Sequence, residues 1–535
     1  MALLTSLPEL LARQAAQRPD AVAFIEDGRE ISFGQFAAMC RRTAVWLAQH
    51  GIGRDDRVAV WMVNRVEWLA LYFALSHLGA VLVTVNTRYR AHELAFILQC
   101  SRARMLVLEP GFRKIDFPTV LSGVDPSAAR LLECIAVVRA QGDAGLAQAA
   151  AVLGRPVVGF DLDSLPDGEP PCAGHSQAFN ILFTTSGTTS GPKLVVHRQY
   201  SIAVHSQHVA HAFGLGQPGS VLLSTLPLCG VFGFNGVLGA FAGGRPTVIA
   251  STFDANEAAR LVVQHQVTHL FGSDEMFHRL MEAAPGVRPF PSLRVCAFAS
   301  FHPGAQALGN EAWARGIPLT GLYGSSEVQA LFSYNRQDLP MEERLKGGGT
   351  PSNPGARLRI RDADTGALLA PGKSGLIEIK ADTNFAEYLD NPQATRAAID
   401  DDGYFHTGDI GYLRDDGSFV YQTRHGDAIR LAGFLVDPTE IEEVIKHQAG
   451  VADAQVVAVE TPGGQRRCAA FVIAKAGIAL DTAALQAALA GLLAAFKVPA
   501  YIWQVQEFPS TQSSNGVKIQ RAKLRDMAQA RIEDM

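Results

Sequence analysis

A loop of small, hydroxyl-bearing residues is the part of this sequence best suited to bind a charged ligand. The loop runs from Thr184 to Lys193 as TTSGTTSGPK and follows a strand-like segment, Phe179–Phe183. Small residues let backbone N–H groups approach an oligophosphate, hydroxyls add further donors, and the lysine adds a positive charge. The composition of the loop therefore predicts a phosphate-binding site.

The loop lacks the pattern of the phosphate loop in P-loop NTPases. That pattern ends in Gly-Lys followed by Ser or Thr, and it opens a helix. Here Pro192 stands between Gly191 and Lys193, and an apolar run, Leu194–Val196, follows the lysine. The sequence thus predicts a loop between two strands, for which a polar hairpin turn without a ligand is the alternative interpretation.

Viewed along the whole chain, the loop resembles the phosphate-binding signature of the adenylate-forming superfamily. This superfamily contains acyl- and aryl-CoA synthetases, the adenylation domains of peptide synthetases, and luciferases. Five further segments resemble superfamily motifs in the expected order: Gly79–Leu98, Gly321–Glu327 (GLYGSSE), Tyr404–Gly411 (YFHTGDIG), Arg424–Glu442 and Asn515–Arg525. Because the matches are co-linear over nearly the full length, the chain is identified as a member of the AMP-dependent synthetases and ligases within this superfamily.

The resemblance implies a reaction that joins a carboxylate to AMP with loss of pyrophosphate and then passes the acyl group to a thiol. Such a reaction needs a cradle for pyrophosphate, a clamp for the nucleoside, and positive charge where negative charge develops. Lys193, Glu327 and Lys518 are the implied catalytic residues. The implied phosphate cradle consists of Thr185, Ser186, Gly187, Thr188, Thr189, Ser190, Gly191 and Lys193.

Three segments carry the implied nucleoside site. Tyr323 is similar to the family's adenine-stacking aromatic, Asp409 matches the acid that accepts the ribose hydroxyls, and Arg424 matches an arginine near the ribose. A turn-capping role is the alternative for Asp409. The other implied nucleotide contacts are Gly321, Gly324, Ser325 and Ser326.

Two further charged residues have roles implied by the resemblance. Glu327 matches the carboxylate that binds Mg²⁺ on ATP, and its alternative is a solvated position at a strand end. Lys518 matches the lysine that reaches the carboxylate and the α-phosphate during adenylation. The basic residues around Lys518 are expected to form a solvated helix face, with CoA phosphates as the alternative contact: Arg521, Lys523 and Arg525.

The family's second half-reaction rotates a small C-terminal domain and brings a glycine, here Gly433, to the tunnel for the pantetheine arm. Relatives usually have Asp or Lys as the pivot two residues after Arg424, whereas this chain has Gly426 followed by Asp427. Glycine widens the range of backbone angles, so rotation is retained and the preferred resting state is free to differ.

The acyl pocket is expected in an uncharged stretch. Between Gln199 and Gly244 the sequence has no Asp, Glu, Lys or Arg, so an apolar acid is favoured over an amino acid, and a fatty acid over an aromatic acid. The alternative for this stretch is ordinary core. The candidate substrate contacts are Gly230, Phe232, Gly233 and Phe234, and Gly230 stands where relatives often have His.

An α/β architecture has to position these motifs, because strand-length apolar runs alternate with helical segments. Residues 1–423 are predicted to form a large domain of layered β-sheets flanked by helices, with a small β-barrel or β-subdomain. Residues 424–535 are predicted to form a small, mobile α+β domain that carries the catalytic lysine. The apolar segment WLALYFALSHLGAVLVTV changes character at Gly79, which indicates a buried helix and strand and no transmembrane segment.

Composition limits the partners of the chain. The net charge is −5 without a long basic run, which excludes a typical nucleic-acid binder, and seven scattered cysteines fit a reducing cytoplasm. The implied cofactors are ATP, Mg²⁺ and CoA, the implied substrate is a small carboxylic acid, and a homodimer stays open. Three functions compete: an acyl- or aryl-CoA ligase, a stand-alone enzyme that loads a carrier protein and is less favoured, and a non-catalytic nucleotide- or acyl-binding relative.

Overall fold

The computed structural model of the chain describes residues 2–113, 115–139, 144–185, 193–299, 305–362, 365–424, 429–432, 434–436, 438–462, 464–513 and 516–535. Residues 2–424 are called the large unit below, and residues 429–535 the small unit. The helices in these ranges are α1 (Leu7–Gln17), α2 (Phe33–Gln49), α3 (Val66–Leu78), α4 (Ala91–Ser101), α5 (Phe117–Ser122), α6 (Ala144–Val152), α7 (Gln199–Ala212), α8 (Val231–Ala242), α9 (Ala255–Gln264), α10 (Asp274–Ala283), α11 (Ala305–Ala314), α12 (Met341–Arg344), α13 (Pro392–Ala398), α14 (Pro438–Lys446), α15 (Thr482–Leu492) and α16 (Arg521–Glu533).

The strands follow the same chain order. They are β1 (Val22–Glu26), β2 (Arg29–Ser32), β3 (Arg57–Trp61), β4 (Val81–Thr84), β5 (Met105–Leu108), β6 (Cys134–Val138), β7 (Val157–Phe160), β8 (Phe179–Thr185), β9 (Lys193–Arg198), β10 (Leu222–Ser224), β11 (Thr247–Ile249), β12 (His269–Gly272), β13 (Val295–Phe298), β14 (Leu319–Ser325), β15 (Gln329–Tyr334), β16 (Gly347–Pro351), β17 (Arg357–Arg361), β18 (Gly375–Lys380), β19 (Glu387–Tyr388), β20 (Phe405–Leu413), β21 (Phe419–Arg424), β22 (Ile429–Leu431), β23 (Phe434–Val436), β24 (Val451–Glu460), β25 (Arg466–Ala474), β26 (Tyr501–Gln504), β27 (Ser510–Ser513) and β28 (Gly516–Ile519).

An eight-stranded sheet forms one layer of the large unit, in the order β19-β9-β8-β4-β3-β5-β6-β7. Its central strands are parallel and buried on both faces, which is why they are continuous apolar runs. Side chains alternate across the sheet, so Val58 and Val60 join one buried cluster while Ala59 and Trp61 join another. The sheet therefore has a hydrophobic core on each side.

Helix α3 confirms the interpretation of the longest apolar segment. Nearly all of its residues are buried, and it ends at Gly79, whose φ of 68° lies in the left-handed region that glycine adopts without strain. Strand β4 follows two residues later and is buried throughout. Among the described residues, no helix is long and apolar enough to cross a membrane.

A 13-stranded sheet forms the second layer, in the order β17-β18-β20-β21-β16-β15-β14-β13-β12-β10-β11-β1-β2. Its strands are parallel from β1 through β11, β10, β12 and β13 to β14, and antiparallel from β14 to β17. The small β-subdomain that the sequence predicts corresponds to this antiparallel end of the sheet. Asp409 lies there on β20, and three strands, β21, β16 and β15, separate it from β14, which carries Tyr323.

The small unit has its own sheet and core. Strands β24 and β25 pair antiparallel, β26 adds in parallel, and α14, α15 and α16 pack around them. Beyond α15, which ends at Leu492, the chain forms β26, a β27–β28 hairpin and α16. The domain boundary before Arg424 stays a prediction.

Candidate active site

The two ends of the phosphate loop are fixed by strand pairing. Thr185 ends β8, Lys193 begins β9, and the two residues lie directly opposite each other in the antiparallel pair. This geometry agrees with a loop between strands and differs from a P-loop, where a helix would follow. The remaining predicted cradle residues lie outside the described residues: Ser186, Gly187, Thr188, Thr189, Ser190 and Gly191.

Tyr388 connects the loop lysine to the predicted metal ligand. Strand β19 pairs with β9 so that Tyr388 lies opposite Val195, and the Lys193 ammonium stands 4.8 Å from the centroid of the Tyr388 ring. The Tyr388 hydroxyl donates to Glu327 Oε1 at 3.0 Å. Sequence reasoning missed this tyrosine, because its role comes from strand pairing between segments almost 200 residues apart.

The turn that presents Glu327 is held by hydrogen bonds from below. The Ser325 hydroxyl accepts from the backbone N–H of Glu327 at 3.2 Å and of Val328 at 3.4 Å. The Ser326 carbonyl accepts from Nε2 of His197 at 2.7 Å. Burial lowers the pKa of His197 to about 4, so the ring is neutral and Nε2 carries its proton. Glu327 is itself buried and not solvated.

The two glycines of the adenine motif are required by the protein's own backbone. A Cβ on Gly321 would lie 2.1 Å from the carbonyl oxygen of Lys346, and one on Gly324 would lie 2.6 Å from the Cα of Ala330. Neither clash can be relieved by rotating a side chain. The motif GLYGSSE therefore combines chain packing at its glycines with ligand chemistry at its polar residues.

Tyr323 and Asp409 meet in one buried hydrogen bond. The Tyr323 hydroxyl donates to Asp409 Oδ2 at 2.6 Å, and its ring packs edge-on against Phe419 with the centroids 5.2 Å apart. The backbone N–H of Asp409 donates to the Thr407 hydroxyl at 3.0 Å. Arg424 lies directly opposite Asp409 in the β20–β21 pair. The structure thus joins Tyr323 and Asp409 through their side chains and places Arg424 beside Asp409 by strand pairing.

The predicted substrate contacts cluster at the start of α8 but differ in their surroundings. Gly230 is the N-cap of this helix, and a Cβ there would meet its nearest neighbour, the Pro227 carbonyl, at an ordinary 3.5 Å. A Cβ on Gly233 would lie only 2.5 Å from the same carbonyl. Gly230 therefore leaves space, whereas Gly233 allows close packing of the helix on the preceding turn.

The two phenylalanines of this helix face different neighbours. Phe232 is half-buried, and its ring lies nearly parallel to that of Phe271 with the centroids 6.4 Å apart. Phe234 is fully buried and packs against the rings of Trp68, Tyr72 and Phe183. Phe234 therefore fits the alternative interpretation, a residue of the ordinary core, better than the half-buried Phe232 does. The substrate role of both residues stays a prediction.

Asn64, which the sequence did not single out, fixes the turn before α8. Its side-chain amide donates to the carbonyls of Leu226 at 2.9 Å and Ala250 at 3.1 Å, and its Oδ1 accepts from the N–H of Leu228 at 2.8 Å. Asn64 is buried, so these bonds satisfy an otherwise costly polar group. They tie the Leu226–Gly230 turn to the end of the parallel sheet.

A second buried amide pair connects α8 to the strand after Glu327. Asn235 donates to Gln329 Oε1 at 3.0 Å and accepts from the N–H of Ala330 at 3.0 Å. The Gln329 amide in turn donates to the carbonyls of Ser201 and Thr383, both at 2.9 Å. The acyl-site helix and the adenine motif are therefore parts of one rigid arrangement.

In the small unit, Lys518 lies on β28 opposite Thr511. The expectation of a solvated basic face around it is wrong for Arg521, whose guanidinium pairs with Glu442 at 2.8 Å because that buried carboxylate needs a counter-charge. Lys523 and Arg525 are exposed, as expected. Three further predicted residues lie outside the described residues: Gly426, Asp427 and Gly433.

Solved structures share the fold of this chain over almost its whole length. The o-succinylbenzoate CoA synthetase of Bacillus subtilis, as a double mutant bound with a product analogue, OSB-NCoA, is 22% identical and gives a TM-score of 0.81, with 97% of this chain and 98% of that chain covered. The same enzyme in complex with AMP is 23% identical, with the same coverage, and gives only 0.66. Both structures therefore share the fold of this chain.

The sequence comparisons agree with the motifs and the fold. The 2-succinylbenzoate–CoA ligase of Geobacillus kaustophilus is 30% identical over 95% of this chain and 95% of its own length. A model described as AMP-binding enzyme matches residues 11–389, and one described as AMP-binding enzyme C-terminal domain matches residues 440–515. The chain belongs to the family of AMP-binding enzymes.

Proposed function

We propose that this enzyme activates an apolar carboxylic acid with ATP, releasing pyrophosphate and forming acyl-AMP, and then transfers the acyl group to CoA. The observation that carries the proposal is the contact of Tyr388 with both Lys193 and Glu327, beside the Tyr323–Asp409 pair. A lysine at the end of the phosphate loop, a buried carboxylate and a nucleoside clamp are the groups that adenylation needs. The enzyme is an AMP-forming acid–thiol ligase.

Each residue has a distinct task in this scheme. Lys193, at the base of the loop, stabilises the charge that develops on the leaving pyrophosphate. Asp409 accepts the ribose hydroxyls and is kept ready by the Tyr323 donor. Lys518 places a positive charge at the acid's carboxylate and the α-phosphate. In the first step the carboxylate oxygen attacks the α-phosphorus, and the bond to pyrophosphate breaks. In the second step the CoA thiol loses its proton and its sulfur attacks the acyl carbon, and the acyl C–O bond to AMP breaks, so that AMP leaves.

The residues present fit a Mg²⁺ ion. Mg²⁺ prefers carboxylate oxygens together with phosphate oxygens, and Glu327 is a buried carboxylate beside the loop lysine. Glu327 would hold the ion, which would supply charge neutralisation at the triphosphate. The Tyr388 hydroxyl and the Ser325 bonds orient Glu327 for this role.

A fatty acid is the first candidate substrate. Helix α8 and the preceding turn offer no charged side chain, and Gly230 leaves space where a larger residue would intrude. An aromatic acid is the second candidate. The stacked rings of Phe232 and Phe271, whose planes are 26° apart, favour it, and so does the similarity to a ligase named for 2-succinylbenzoate.

CoA is proposed as the acceptor in preference to a carrier protein. Support comes from relatives that are named as CoA ligases, among them the 2-succinylbenzoate–CoA ligase that is 30% identical and a 4-chlorobenzoate–CoA ligase that is 29% identical. A carrier protein presents the same pantetheine thiol, so product analysis has to distinguish it from CoA as the acceptor.

The test is ATP–pyrophosphate exchange with a panel of straight-chain and aromatic acids, followed by product analysis with and without CoA. We expect exchange with apolar acids, no exchange with amino acids, and an acyl-CoA product. Glu327→Gln should lower exchange strongly, whereas Glu342→Gln, on the surface of the large unit, should not. If none of the acids supports pyrophosphate exchange, the proposal is overturned. If an acid supports exchange but no acyl-CoA is formed, the function is the loading of a carrier protein.

A further inference from the structure

A buried ion pair joins the two units of the protein. Lys497 follows α15 in the small unit, and its ammonium donates to Glu93 Oε1 on α4 of the large unit at 3.0 Å. The same ammonium donates to Glu440 Oε1 on α14 at 2.5 Å. The side chains of Lys497 and Glu93 are only 8% and 7% exposed. A lysine between two carboxylates is thus enclosed where the small unit meets α4.

The charges at this contact depend on one another. Burial disfavours the charged form of Lys497, but Glu440 and Glu93 outweigh it and hold the lysine pKa above its ordinary value. Burial raises the pKa of Glu93, and Lys497 opposes that rise. If the small unit moved away, Glu93 would lose the cation that compensates its buried charge. The contact therefore stabilises the docked position of the small unit relative to an undocked one.

The large unit holds its half of the contact rigidly. Glu93 is the third residue of α4, and its Oε2 accepts from the N–H of Arg90 at 2.9 Å, which caps the helix. Its Oε1 is the atom that meets Lys497. One carboxylate thus anchors the helix start with one oxygen and receives the small unit with the other.

The docking position borders the phosphate site. The ring centroid of Tyr89 lies 5.5 Å from the Lys497 ammonium, and the phenol of the same tyrosine lies beside Thr184 on β8. Thr184 is the first residue of the phosphate loop, at the end of β8. Tyr89 therefore connects the docked Lys497 to β8, the strand that leads into the loop.

We propose that Lys497 is a positioning residue for thioester formation, which holds the small unit against α4 by inserting between Glu93 and Glu440. The inference rests on the proposed function, in which the small unit changes position between the two half-reactions. In the arrangement described, Lys497 is docked between the two carboxylates, and the chain superposes on the CoA-product-analogue complex with a TM-score of 0.81. In this inference the docked position serves thioester formation, and a second position of the small unit serves adenylation, in which Lys518 acts on the acid.

The test compares the two half-reactions in matched variants. Lys497→Met and Glu93→Gln should slow transfer from preformed acyl-AMP to CoA at least about tenfold, while pyrophosphate exchange stays within about twofold. The Glu93→Gln substitution keeps an acceptor for the Arg90 N–H and removes only the charge. Lys497→Arg keeps the cation and should retain most of the transfer rate. If Lys497 only filled space in the core, the larger arginine would not preserve that rate.

Lys446 provides the control, because it pairs with Glu443 and Asp453 inside the small unit and is more exposed. Lys446→Met should change neither half-reaction. The combined Lys497→Met and Glu93→Gln variant should be no slower than the slower single variant, since both remove one contact. An unchanged transfer rate in Lys497→Met, or equal loss of both half-reactions, would overturn the proposal.

A second measurement separates this inference from the proposed function. Hydrogen exchange without substrates, followed by mass spectrometry, should be faster in Lys497→Met than in the unmodified protein for peptides covering residues 89–95 and 496–499. If no acid is activated at all, the proposed function fails. Hydrogen exchange still decides in that case whether Lys497 holds the two units together. Unchanged exchange in these peptides would exclude the docking role.

Discussion

The hydroxyl of Tyr323 donates a 2.6 Å hydrogen bond to the carboxylate of Asp409, across 86 residues of sequence. Both side chains are buried, so the bond is made where water competes little and the carboxylate depends on its protein donors. It joins the adenine motif on β14 to the ribose motif on β20. The two halves of the nucleoside clamp are therefore positioned relative to each other before ATP arrives.

Tyr323→Phe should weaken ATP binding while leaving the ring in place. A hydrogen bond to a charged group contributes about 1.5–3 kcal/mol, so KM for ATP in pyrophosphate exchange should rise roughly 10- to 100-fold. Tyr412→Phe, on the same strand as Asp409, is the control and should leave KM unchanged. A normal KM in Tyr323→Phe would mean that Asp409 is oriented without the phenol.

Local motifs were sufficient to propose the nucleotide site, because each motif is a short segment with its own chemistry. The Thr184–Lys193 loop joins two strands, GLYGSSE runs from the end of β14 into the next turn, and YFHTGDIG forms most of β20. Lys193 and Glu327 both contact Tyr388, and Asp409 accepts a hydrogen bond from Tyr323 of the same motif as Glu327. Tyr388 and Asn64 could not be found in this way. Their roles come from sheet pairing and from carbonyls of distant segments, and single residue types carry no signal for such contacts.

Tyr388→Phe tests whether the hydroxyl orients Glu327. The ring beneath Lys193 is kept, but Glu327 loses the donor at 3.0 Å, so we expect a higher requirement for Mg²⁺ in pyrophosphate exchange, by roughly tenfold. Tyr388→Leu removes the ring as well and should also weaken the contribution of Lys193. Equal behaviour of the two variants would show that the hydroxyl, and not the ring, is what matters, and a normal Mg²⁺ requirement in Tyr388→Phe would exclude the orienting role of the hydroxyl.

Gly230→Ala and Gly233→Ala form a matched pair on adjacent turns. The first places a methyl group at ordinary contact distance and should change the preference among acids without changing the apparent Tm. The second forces a methyl group to 2.5 Å from a carbonyl, so overpacking of roughly 1–3 kcal/mol should lower the apparent Tm. Substrate profiles and thermal unfolding of both variants check this. A stable Gly233→Ala protein would contradict the packing role.

Three buried histidines predict loss of stability in mild acid. Burial lowers the pKa of His197 and His269 to about 4 and that of His205 to about 3. Between these values and about 6.5 the unfolded chain binds protons that the folded chain does not, so stability is complete above pH 6.5 and falls as the pH falls. Each histidine contributes up to about 1.4 kcal/mol per pH unit.

Thermal unfolding from pH 8 to pH 5 measures this slope. His205→Gln keeps an amide donor for the Ala330 carbonyl and should flatten the decline. Glu26 acts in the opposite direction, because burial raises its pKa to about 7 and the folded chain then holds the extra proton. Glu26→Gln should therefore steepen the decline. Identical slopes in all three proteins would show that these groups do not control the acid response.

Lys518→Ala should separate the two half-reactions in the direction opposite to Lys497→Met. Lys518 is implied to reach the acid's carboxylate and the α-phosphate, so its removal should reduce pyrophosphate exchange by at least about 100-fold. Transfer from supplied acyl-AMP to CoA should stay within a few fold, because no phosphoryl chemistry is left in that step. Lys523→Ala, on the exposed face of α16, is the control and should affect neither rate. If Lys518→Ala loses both half-reactions equally, the lysine supports the small unit as a whole and its assignment to adenylation alone is wrong.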